Sequence, residues 1–465
     1  MNRRQFLFST ALATHVPKTP AHAQKTPAPV QRPNILVILA DDLAAWMLGC
    51  YGNQEIKTPH IDNLSRGGLR FSNAFCASPI CSPSRATFFT GRLPSQHGIH
   101  DFLTPKPIES PAQGQAEPPA AFKNEVMISD VLAQSGYSCG YVGKWHMGDD
   151  AKPGHGYQYT YTMIGGSRSY TDPEMSLNGQ MVQEKGYLTD LMTQRACEFL
   201  DKQTGAQPFF LTIGYLNPHT PYAGHPQKYY DMYANTTFDT VGWEEPAPNA
   251  LREKDLLKDI VGNLRKCAAA TTALDDQIPI LLQKLRERKL WDNTLILFTG
   301  DNGFLLGRHG LWSKGHASNP INMFDEVVRV PLIVSWPGKI PTGEMAPELV
   351  SFYDVLPTLC EAAGVSPPAN RNLTGRSFLY IAKRDPLPKK SPQWRNIVFG
   401  QFRYTEMARD ARYKLVLRYA GKGPNELFDI TADPKEKVNR YDDAQYVSVR
   451  QRLTNELVTW RKRAI

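Results

Sequence analysis

The sequence predicts an α/β protein in which a mostly parallel central sheet is sandwiched by helices. Continuous apolar runs recur along the chain, and such runs are typical of strands that are buried on both faces of a parallel sheet. The runs are NILVILADD (34–42), GYSCGYVG (136–143), PFFLTIGYL (208–216), NTLILFTGDNG (293–303) and VPLIVSWPG (330–338). Helical patterns lie between these runs, and this alternation is the second observation that favours the α/β class.

Two stretches carry the clearest helical patterns. In YLTDLMTQRACEFL the apolar residues from Leu188 to Leu200 fall on one face of a helix. The stretch 255–289 has no strong helix breaker except Gly262 and Pro279. We therefore expect helices in both places, packed against the sheet.

The C-terminal part of the chain has a different pattern. Short β-rich pieces follow one another at hairpin distances: NIVFGQFRY, TEMARDA, RYKLVLRY and NELFDI. The closing stretch QYVSVRQRLTNELVTWRKR (445–463) has the pattern of an amphipathic helix. We predict a catalytic domain over 34–370 and, over 371–465, a smaller subdomain with an antiparallel sheet and one helix.

The N-terminus reads MNRRQFLFSTALATHVPKTPAHAQ, which is typical of a secretory leader of the twin-arginine type. We expect a signal peptide over 1–23, a Pro-rich linker over 24–33, and a periplasmic or secreted protein. The chain has 465 residues and a formal charge of +8, an excess that suits an anionic substrate. No internal apolar run reaches the roughly 20 residues that span a bilayer, so we expect no membrane span. Nothing in the sequence indicates a nucleic-acid partner.

The chain has seven cysteines without metal-type spacing, and Cys81 stands out among them because it begins CSPSRATFFTGR. Pro83 predicts that Cys81 lies on a turn, with a helix from Ser84 onward that Ser82 or Ser84 caps. The thiol would then lie just before the positive end of the helix dipole, in a position where it can react. A small buried side chain is the alternative for a lone cysteine.

Oxygen-bearing pairs follow two of the predicted strands. Asp41 and Asp42 end the first run, and Asp301 and Asn302 follow TLILFTG. One such pair is often a turn or a helix cap, but two pairs at one sheet edge would converge. Four oxygen ligands without nearby His or Cys spacing favour Ca²⁺, with Mg²⁺ as the alternative.

Basic residues follow three further strand ends. Lys144 and His146 occur in VGKWHMG, His219 in LNPHTPY, and His309 and Lys314 in LGRHGLWSKG. A single histidine at such a place is often structural. Because three loops supply cations or imidazoles beside a predicted metal, the pattern indicates a site for a multiply charged anion.

Taken together, these motifs resemble the formylglycine-dependent sulfatases of the alkaline phosphatase superfamily. CSPSRATFFTGR matches the family signature of Cys, Pro, Arg and a later Thr-Gly. The DD strand, GKWHMG, the PH-x-P loop, the DNG strand and the following lysine occur in the family's order. The likeness extends from about Asn34 to ELFDITADPKEKVN near the C-terminus, and it implies an alkaline-phosphatase-like fold.

The resemblance implies an unusual nucleophile. A separate formylglycine-generating enzyme would oxidise Cys81 to formylglycine, whose hydrate supplies the attacking hydroxyl. Asp41, Asp42, Asp301 and Asn302 would bind a calcium ion, with residue 81 (the modified Cys81) as a further ligand, and this ion would polarise the sulfate.

The resemblance also assigns the basic residues. Arg85 and Lys144 would steady the formylglycine and the equatorial sulfate oxygens. His146 would be the base for release of sulfate, and His219 with Lys314 would protonate or neutralise the leaving alcohol. The implied activity is hydrolysis of sulfate esters, with a sulfated sugar as the expected substrate.

Sugar contacts are expected from loops. His100 and Asp101 in QHGIHDF are candidates, with loop packing as the alternative, and so is His309. The stretch GHASNPINM after Lys314 is longer than is common in the family, which makes His316 or Asn319 a further candidate.

Two other functions remain open at this stage. One is hydrolysis of phosphate or phosphonate esters, because related enzymes share the sheet and the metal edge. Phosphatases of that wider group usually combine Ser or Thr with two zinc ions and several His ligands, whereas DD and DN suit one hard cation. The other is an inactive, sugar-binding relative, although every expected catalytic position is filled.

Overall fold

A large mixed sheet with helices on both faces dominates the computed structural model, which describes residues 32–104, 115–167, 169–389 and 391–464. The predicted leader and most of the linker lie outside the described residues. The rest of the chain, Arg32–Ile465, forms one compact unit. No helix in the described part of the chain combines the length and the apolar character needed to cross a bilayer.

Within the described residues the large sheet has ten strands. They are β1 (Asn34–Asp41), β2 (Leu69–Phe75), β3 (Ser138–Lys144), β4 (Tyr159–Met163), β5 (Glu174–Leu177), β6 (Gln180–Gln183), β7 (Phe209–Pro218), β8 (Thr294–Gly300), β9 (Leu332–Ser335) and β10 (Glu344–Ser351). Their order in space is β10-β2-β9-β8-β1-β7-β3-β4-β5-β6. All five apolar runs are strands, as predicted.

The centre of this sheet is parallel. β1 pairs in parallel with β7 and β8, and β3 pairs in parallel with β7 and β4. β9 runs antiparallel to both β8 and β2, and β4, β5 and β6 form an antiparallel edge. The parallel centre places the carboxyl ends of β1, β3, β7 and β8 at one edge, where ligand sites of such sheets lie.

Most of the α-helices among the described residues pack on the two faces of the large sheet. The described α-helices are α1 (Pro59–Arg66), α2 (Cys81–Thr90), α3 (Pro94–His97), α4 (Ile128–Gln134), α5 (Leu188–Asp201), α6 (Gln227–Asp231), α7 (Ile260–Asp275), α8 (Ile278–Glu287), α9 (Asp325–Val328), α10 (Val355–Ala362), α11 (Leu379–Ala382) and α12 (Val447–Ala464). The stretch 255–289 is therefore two helices, and Pro279 lies in the first turn of α8, where a missing backbone donor costs nothing.

Two apolar layers hold the helices to the sheet. On β1, Val37 and Leu39 belong to one core cluster, and Leu36 and Ile38 belong to the other. This alternation is what a strand buried on both faces requires. Helices α2, α4 and α10 contribute to the first cluster, and α1, α5, α7 and α8 contribute to the second.

A second, antiparallel sheet follows in the order β11 (Ile397–Phe402), β12 (Thr405–Asp410), β13 (Tyr413–Arg418) and β14 (Glu426–Asp429). Helix α12 lies against it and buries Leu453 and Leu457 in a third core cluster. The predicted small antiparallel sheet with one terminal helix is confirmed.

The prediction of a turn at Cys81 is wrong, because α2 begins at Cys81 itself. Pro83 lies in the first turn of this helix, where backbone N–H groups have no intrahelical acceptor, so proline is tolerated there. The helix ends at Thr90, and Gly91 follows with a φ of 67°, the left-handed conformation that glycine adopts without strain. Cys81 therefore has a fixed helical position.

Candidate active site

The predicted acidic pairs meet at the carboxyl edge of the sheet. Because β1 and β8 pair in parallel and in register, Asp41 and Asp42 lie beside Asp301 and Asn302. Carboxylate oxygens of Asp41, Asp42 and Asp301 all lie within 4.8 Å of one another, and all three side chains are buried. Three buried carboxylates at this distance require positive charge nearby.

Cys81 lies next to this cluster. Its Sγ donates to Asp41 Oδ1 at 3.4 Å, and Lys314 Nζ donates to the same Sγ at 2.8 Å. Burial, and then the negative charge of Asp41, raise the pKa of the thiol to about 12. The unmodified cysteine is therefore a neutral thiol at physiological pH rather than a ready nucleophile.

The two serines of the signature connect α2 to its neighbours instead of capping it, which corrects the sequence-based prediction. Ser84 Oγ donates to the backbone carbonyl oxygen of Asp301. Ser82 Oγ accepts from the backbone N–H of Leu103 at 3.0 Å. These bonds tie the start of α2 to the acidic edge and to the loop above it.

Arg85 is completely buried behind the cluster. Its Nε donates to Asp301 Oδ2 at 2.8 Å, and its Nη1 donates to the backbone carbonyl of Lys144 at 2.6 Å. Burial and the neighbouring Asp41 raise the pKa of Asp301 to about 6, although Arg85 acts in the opposite direction. Arg85 thus fixes the Asp301 carboxylate and supplies part of its countercharge.

Two lysines supply the remaining countercharge. Lys144 Nζ pairs with Asp41, and Lys314 Nζ pairs with Asp42. Burial acts to raise the pKa of Asp41, but Lys144 and the other cations outweigh it and hold that pKa well below its usual value. Burial likewise acts to lower the pKa of Lys314, and the carboxylate of Asp42 outweighs it. Asp41 is therefore held as a carboxylate and Lys314 as an ammonium.

His146 lies at the end of β3 in a defined tautomer. Its Nε2 is 2.8 Å from the carbonyl oxygen of Leu103, so Nε2–H donates and Nδ1 keeps its lone pair. That Nδ1 has no hydrogen-bond partner among the described residues. Burial, and then the charge of Lys144, hold the pKa of His146 well below its usual value, so the ring is neutral.

His219 follows β7 and is oriented in the opposite sense. Its Nδ1 lies 2.5 Å from the carbonyl oxygen of Thr220 and therefore carries a proton. Its Nε2 faces Asp42, with the Nε2 and Oδ2 atoms 3.7 Å apart. The ring nitrogen that does not contact a backbone carbonyl is therefore Nδ1 in His146 and Nε2 in His219.

The orientation of Asn302 tests whether a cation fits among these residues. Its Nδ2 donates to Asp42 Oδ1 at 2.8 Å and to the carbonyl of Gly303 at 2.9 Å. Its Oδ1 is buried and has no hydrogen-bond partner among the described residues. An unpartnered oxygen beside three carboxylates matches the donor set that Ca²⁺ or Mg²⁺ takes.

A cavity of about 280 Å³ opens above these groups. Predicted residues in its wall are Asp42, Cys81, His146, His219, Lys314 and His316. Other residues in its wall, none of them a predicted site residue, include Phe102, Ser167, Arg252, Glu253 and Ser313. Arg252 and Glu253 lie in an irregular stretch whose sequence carries no local signal.

Three predicted sugar contacts lie elsewhere. His309 stacks on Phe324 with ring centroids 3.8 Å apart, and His100 is exposed. Asp101 accepts from Arg403 Nε at 2.6 Å. None of these three histidine and aspartate side chains is among the described residues that line the catalytic cavity. Their positions give no support to direct sugar contact.

Comparison with known proteins agrees with this geometry. Residues 33–365 match the family model described as Sulfatase, and residues 307–463 match one described as N-sulphoglucosamine sulphohydrolase, C-terminal. The N-acetylglucosamine-6-O-sulfatase of Bacteroides thetaiotaomicron is 25% identical to this chain, over 91% of this chain and 85% of that protein.

Solved structures share the fold. One, in complex with its substrate D-glucosamine-2-N,6-O-disulfate, has a TM-score of 0.79 at 24% identity and covers 93% of this chain and 98% of its own. The phosphonate monoester hydrolase of Agrobacterium radiobacter has a TM-score of 0.70 at 21% identity, over 93% of this chain and 96% of its own. Because the Sulfatase model covers more than half of the chain and the acidic edge is intact, this protein belongs to the sulfatase family of sulfuric ester hydrolases.

Proposed function

We propose that this protein hydrolyses the sulfate ester of a sulfated carbohydrate with formylglycine, made from Cys81 by a separate formylglycine-generating enzyme, as nucleophile. The position of Cys81 carries the proposal: it lies in the cavity wall and contacts Asp41 of the acidic cluster and the ammonium of Lys314. A neutral buried thiol in that place is a poor nucleophile, so conversion to formylglycine would give residue 81 a reactive group that the thiol does not provide.

A hydrated formylglycine supplies two hydroxyl groups, one to attack sulfur while the ester oxygen leaves, and one whose deprotonation restores the aldehyde and releases sulfate. Lys314 Nζ, 2.8 Å from Sγ of residue 81, is placed to stabilise negative charge on the oxygen that replaces that sulfur. Lys144 and Arg85 hold Asp41 and Asp301 in fixed positions.

The residues proposed to hold a calcium ion, with magnesium as the alternative, are Asp41, Asp42, Asp301 and Asn302. Such an ion polarises a sulfate oxygen and lowers the pKa of a neighbouring hydroxyl. The three carboxylates already balance the charges of three buried cations. The added positive charge of a metal ion would therefore attract an anionic ester into the cavity.

The two histidines divide the proton transfers. Neutral His146 keeps an unprotonated Nδ1, which suits a base for the hydroxyl whose proton must leave. His219 faces Asp42 and the cavity, a position that suits an acid for the departing sugar hydroxyl. Lys314 stands between residue 81 and Asp42 and can share that role.

The carbohydrate assignment rests on the relatives. An N-acetylglucosamine-6-O-sulfatase is among the similar proteins, and a solved relative holds a glucosamine disulfate. We expect the enzyme in the periplasm or outside the cell, because the first residues read as a twin-arginine leader. Export in the folded state would allow the modification of Cys81 to be completed beforehand.

The test measures inorganic sulfate released from glucosamine 6-sulfate by protein co-expressed with a formylglycine-generating enzyme. We expect sulfate release that falls at least about a thousandfold in Cys81→Ala. The matched phosphate and phosphonate monoesters are the controls, because the phosphonate monoester hydrolase shares the fold. Faster cleavage of the phosphorus esters, or full activity of Cys81→Ala, would contradict the proposal.

A further inference from the structure

A second cavity lies beside the catalytic one. It has a volume of about 570 Å³, and the side chain of His316 lines both cavities. Its other walls come from residues 318–321 and from the smaller sheet, through Arg403 and Tyr404 between β11 and β12 and residues 421–423 after β13. Among the described residues, none that we assign to the chemistry lines this second cavity.

The second cavity is positively charged. Arg403 and Lys422 line it, and no carboxylate among the described residues does. Asp101 pairs with Arg403, whereas Lys422 is exposed and has no ion pair with any residue the structure describes. The cavity therefore keeps an uncompensated cation, which favours an anionic occupant.

The wall between the two cavities contains polar atoms without partners. His316 is only 9% exposed, and its Nδ1 has no hydrogen-bond partner in the described part of the chain. The same holds for the buried Nε of Arg252, whose guanidinium lies 5.5 Å from the ring centre of Phe102. Phe102 in turn lies 5.7 Å from the ring of His316. Buried polar atoms without a partner in the protein are satisfied by a ligand or by water.

The two arginines also repel each other. Burial, and then the charge of Arg403, lower the pKa of Arg252, although Asp101 and Glu253 act in the opposite direction. An anion bound between the cavities would relieve this repulsion. Apolar surface from Leu251, which is 44% exposed, and from Tyr404 offers packing for the C–H face of a sugar ring.

We propose that the second cavity binds an anionic sugar unit next to the sugar whose sulfate ester is cleaved, with Lys422 and Arg403 as its charged contacts. The proposal rests on the proposed function and narrows its substrate to a polyanionic oligosaccharide. Asp101 then acts as a positioning residue, because it holds Arg403 at the edge of the second cavity.

The first test compares three disaccharides in which glucosamine 6-sulfate is joined to a hexuronic acid, to its carboxyl-reduced hexose, or to that hexose carrying a sulfate. We expect kcat/KM to be about tenfold higher for one or both acidic probes than for the neutral one. Lys422→Ala and Arg403→Gln should reduce that ratio several-fold, and Lys339→Ala, an exposed lysine outside both cavities, should preserve it. Equal kcat/KM for all three probes would overturn the proposal.

A binding measurement separates this proposal from the proposed function. Calorimetry with Cys81→Ala reports affinity for the same disaccharides without turnover. Tighter binding of an acidic probe that Lys422→Ala weakens would support the second cavity even if the wild-type enzyme released no sulfate. That pair of results would contradict the proposed sulfatase chemistry but not the proposed role of the second cavity. Affinity that does not depend on the charge of the neighbouring unit would overturn the second cavity.

Discussion

Two clusters of acidic side chains in this protein have similar dimensions and different roles. Asp41, Asp42 and Asp301 form one, and the other, which includes Asp275 and Asp276, lies around α1 and α7. In both, ligand-type atoms lie within 4.8 Å of one another. Only the first opens to the cavity that contains Cys81.

The difference lies in the kind of partner: the carboxylates of the first cluster pair with Lys144, Lys314 and Arg85. Asp275 accepts from the backbone N–H groups of His60 and Ile61 at 3.0 and 2.7 Å, and so caps the start of α1. Asp276 accepts from the hydroxyl of Tyr229 at 2.9 Å and lies 3.4 Å from Lys228 Nζ. Closeness of carboxylates is therefore a weak criterion for a metal site, and an unpartnered oxygen such as Asn302 Oδ1 is a stronger one.

The largest expected effect is on turnover. Asp301→Asn removes a charged oxygen from the first cluster and should lower kcat/KM for a sulfated sugar by at least about a thousandfold. Asp276→Asn makes the same chemical change in the second cluster and should stay within about twofold of the wild type. Initial rates of sulfate release check both. Comparable losses in the two variants would remove the distinction between the clusters.

Binding of a metal ion should stabilise the protein against unfolding only when the first cluster is intact. A ligand at one hundred times its Kd adds about 2.7 kcal/mol to the free energy of unfolding, which corresponds to a rise of a few degrees in Tm. We expect this rise when calcium is added to chelator-treated wild type and to Asp276→Asn. Scanning calorimetry should show no rise for Asp301→Asn. A calcium shift that survives Asp301→Asn would place the ion elsewhere.

The second cluster should contribute to stability instead. Asp275→Ala leaves two backbone N–H groups of α1 without their acceptor and should cost about 1–3 kcal/mol of unfolding free energy. Chemical denaturation measures this cost. Because Asp275 is outside the catalytic cavity, kcat per folded molecule should stay at the wild-type value. A large loss of kcat in folded Asp275→Ala would give the second cluster a catalytic role.

We expect a smaller, pH-dependent effect on the free energy of unfolding from the buried residue His97. His97 accepts from the N–H of Ile99 through Nδ1, and its Nε2 lies 3.2 Å from Thr87 Oγ1. Burial lowers the pKa of this histidine to about 3, so the native state stays neutral while the unfolded chain takes up a proton below about pH 6.5. Stability should fall on acidification by at most about 1.4 kcal/mol per pH unit from this residue.

The variant His97→Gln retains one donor and one acceptor and removes the titration. Its unfolding free energy between pH 7 and pH 5 should depend less steeply on pH than that of the wild type, as followed by urea denaturation. Identical slopes for the two proteins would show that His97 does not contribute to the acid sensitivity.

The sequence predicted the parts of the molecule that local pattern controls. Strands buried on both faces, such as β1 and β8, are visible as apolar runs, and the residues that follow them converge because parallel pairing aligns the strand ends. The short edge strands β5 and β6 were missed because they are partly exposed and polar. The prediction of a turn at Cys81 was wrong because a proline such as Pro83 is tolerated in the first turn of a helix as well as in a loop.

The residues that line the two cavities could not be predicted from local sequence pattern. Arg252 lies in an irregular stretch, and its place beside Phe102 depends on tertiary packing. Arg403 reaches the second cavity from the smaller sheet, through contacts distant in sequence. Cavity-lining residues of this kind become visible only when loops from different parts of the chain meet.

The most direct test of the central claim combines peptide mass spectrometry of residue 81 with turnover in the same samples. Expression with graded amounts of a formylglycine-generating enzyme should give preparations that differ in the fraction of Cys81 converted, a loss of about 18 mass units at that peptide. We expect the rate of sulfate release per mole of protein to rise in proportion to that fraction and to extrapolate to zero for the unmodified thiol. Full activity of the unmodified thiol, or an aldehyde-containing protein without activity on any sulfate ester, would contradict the account.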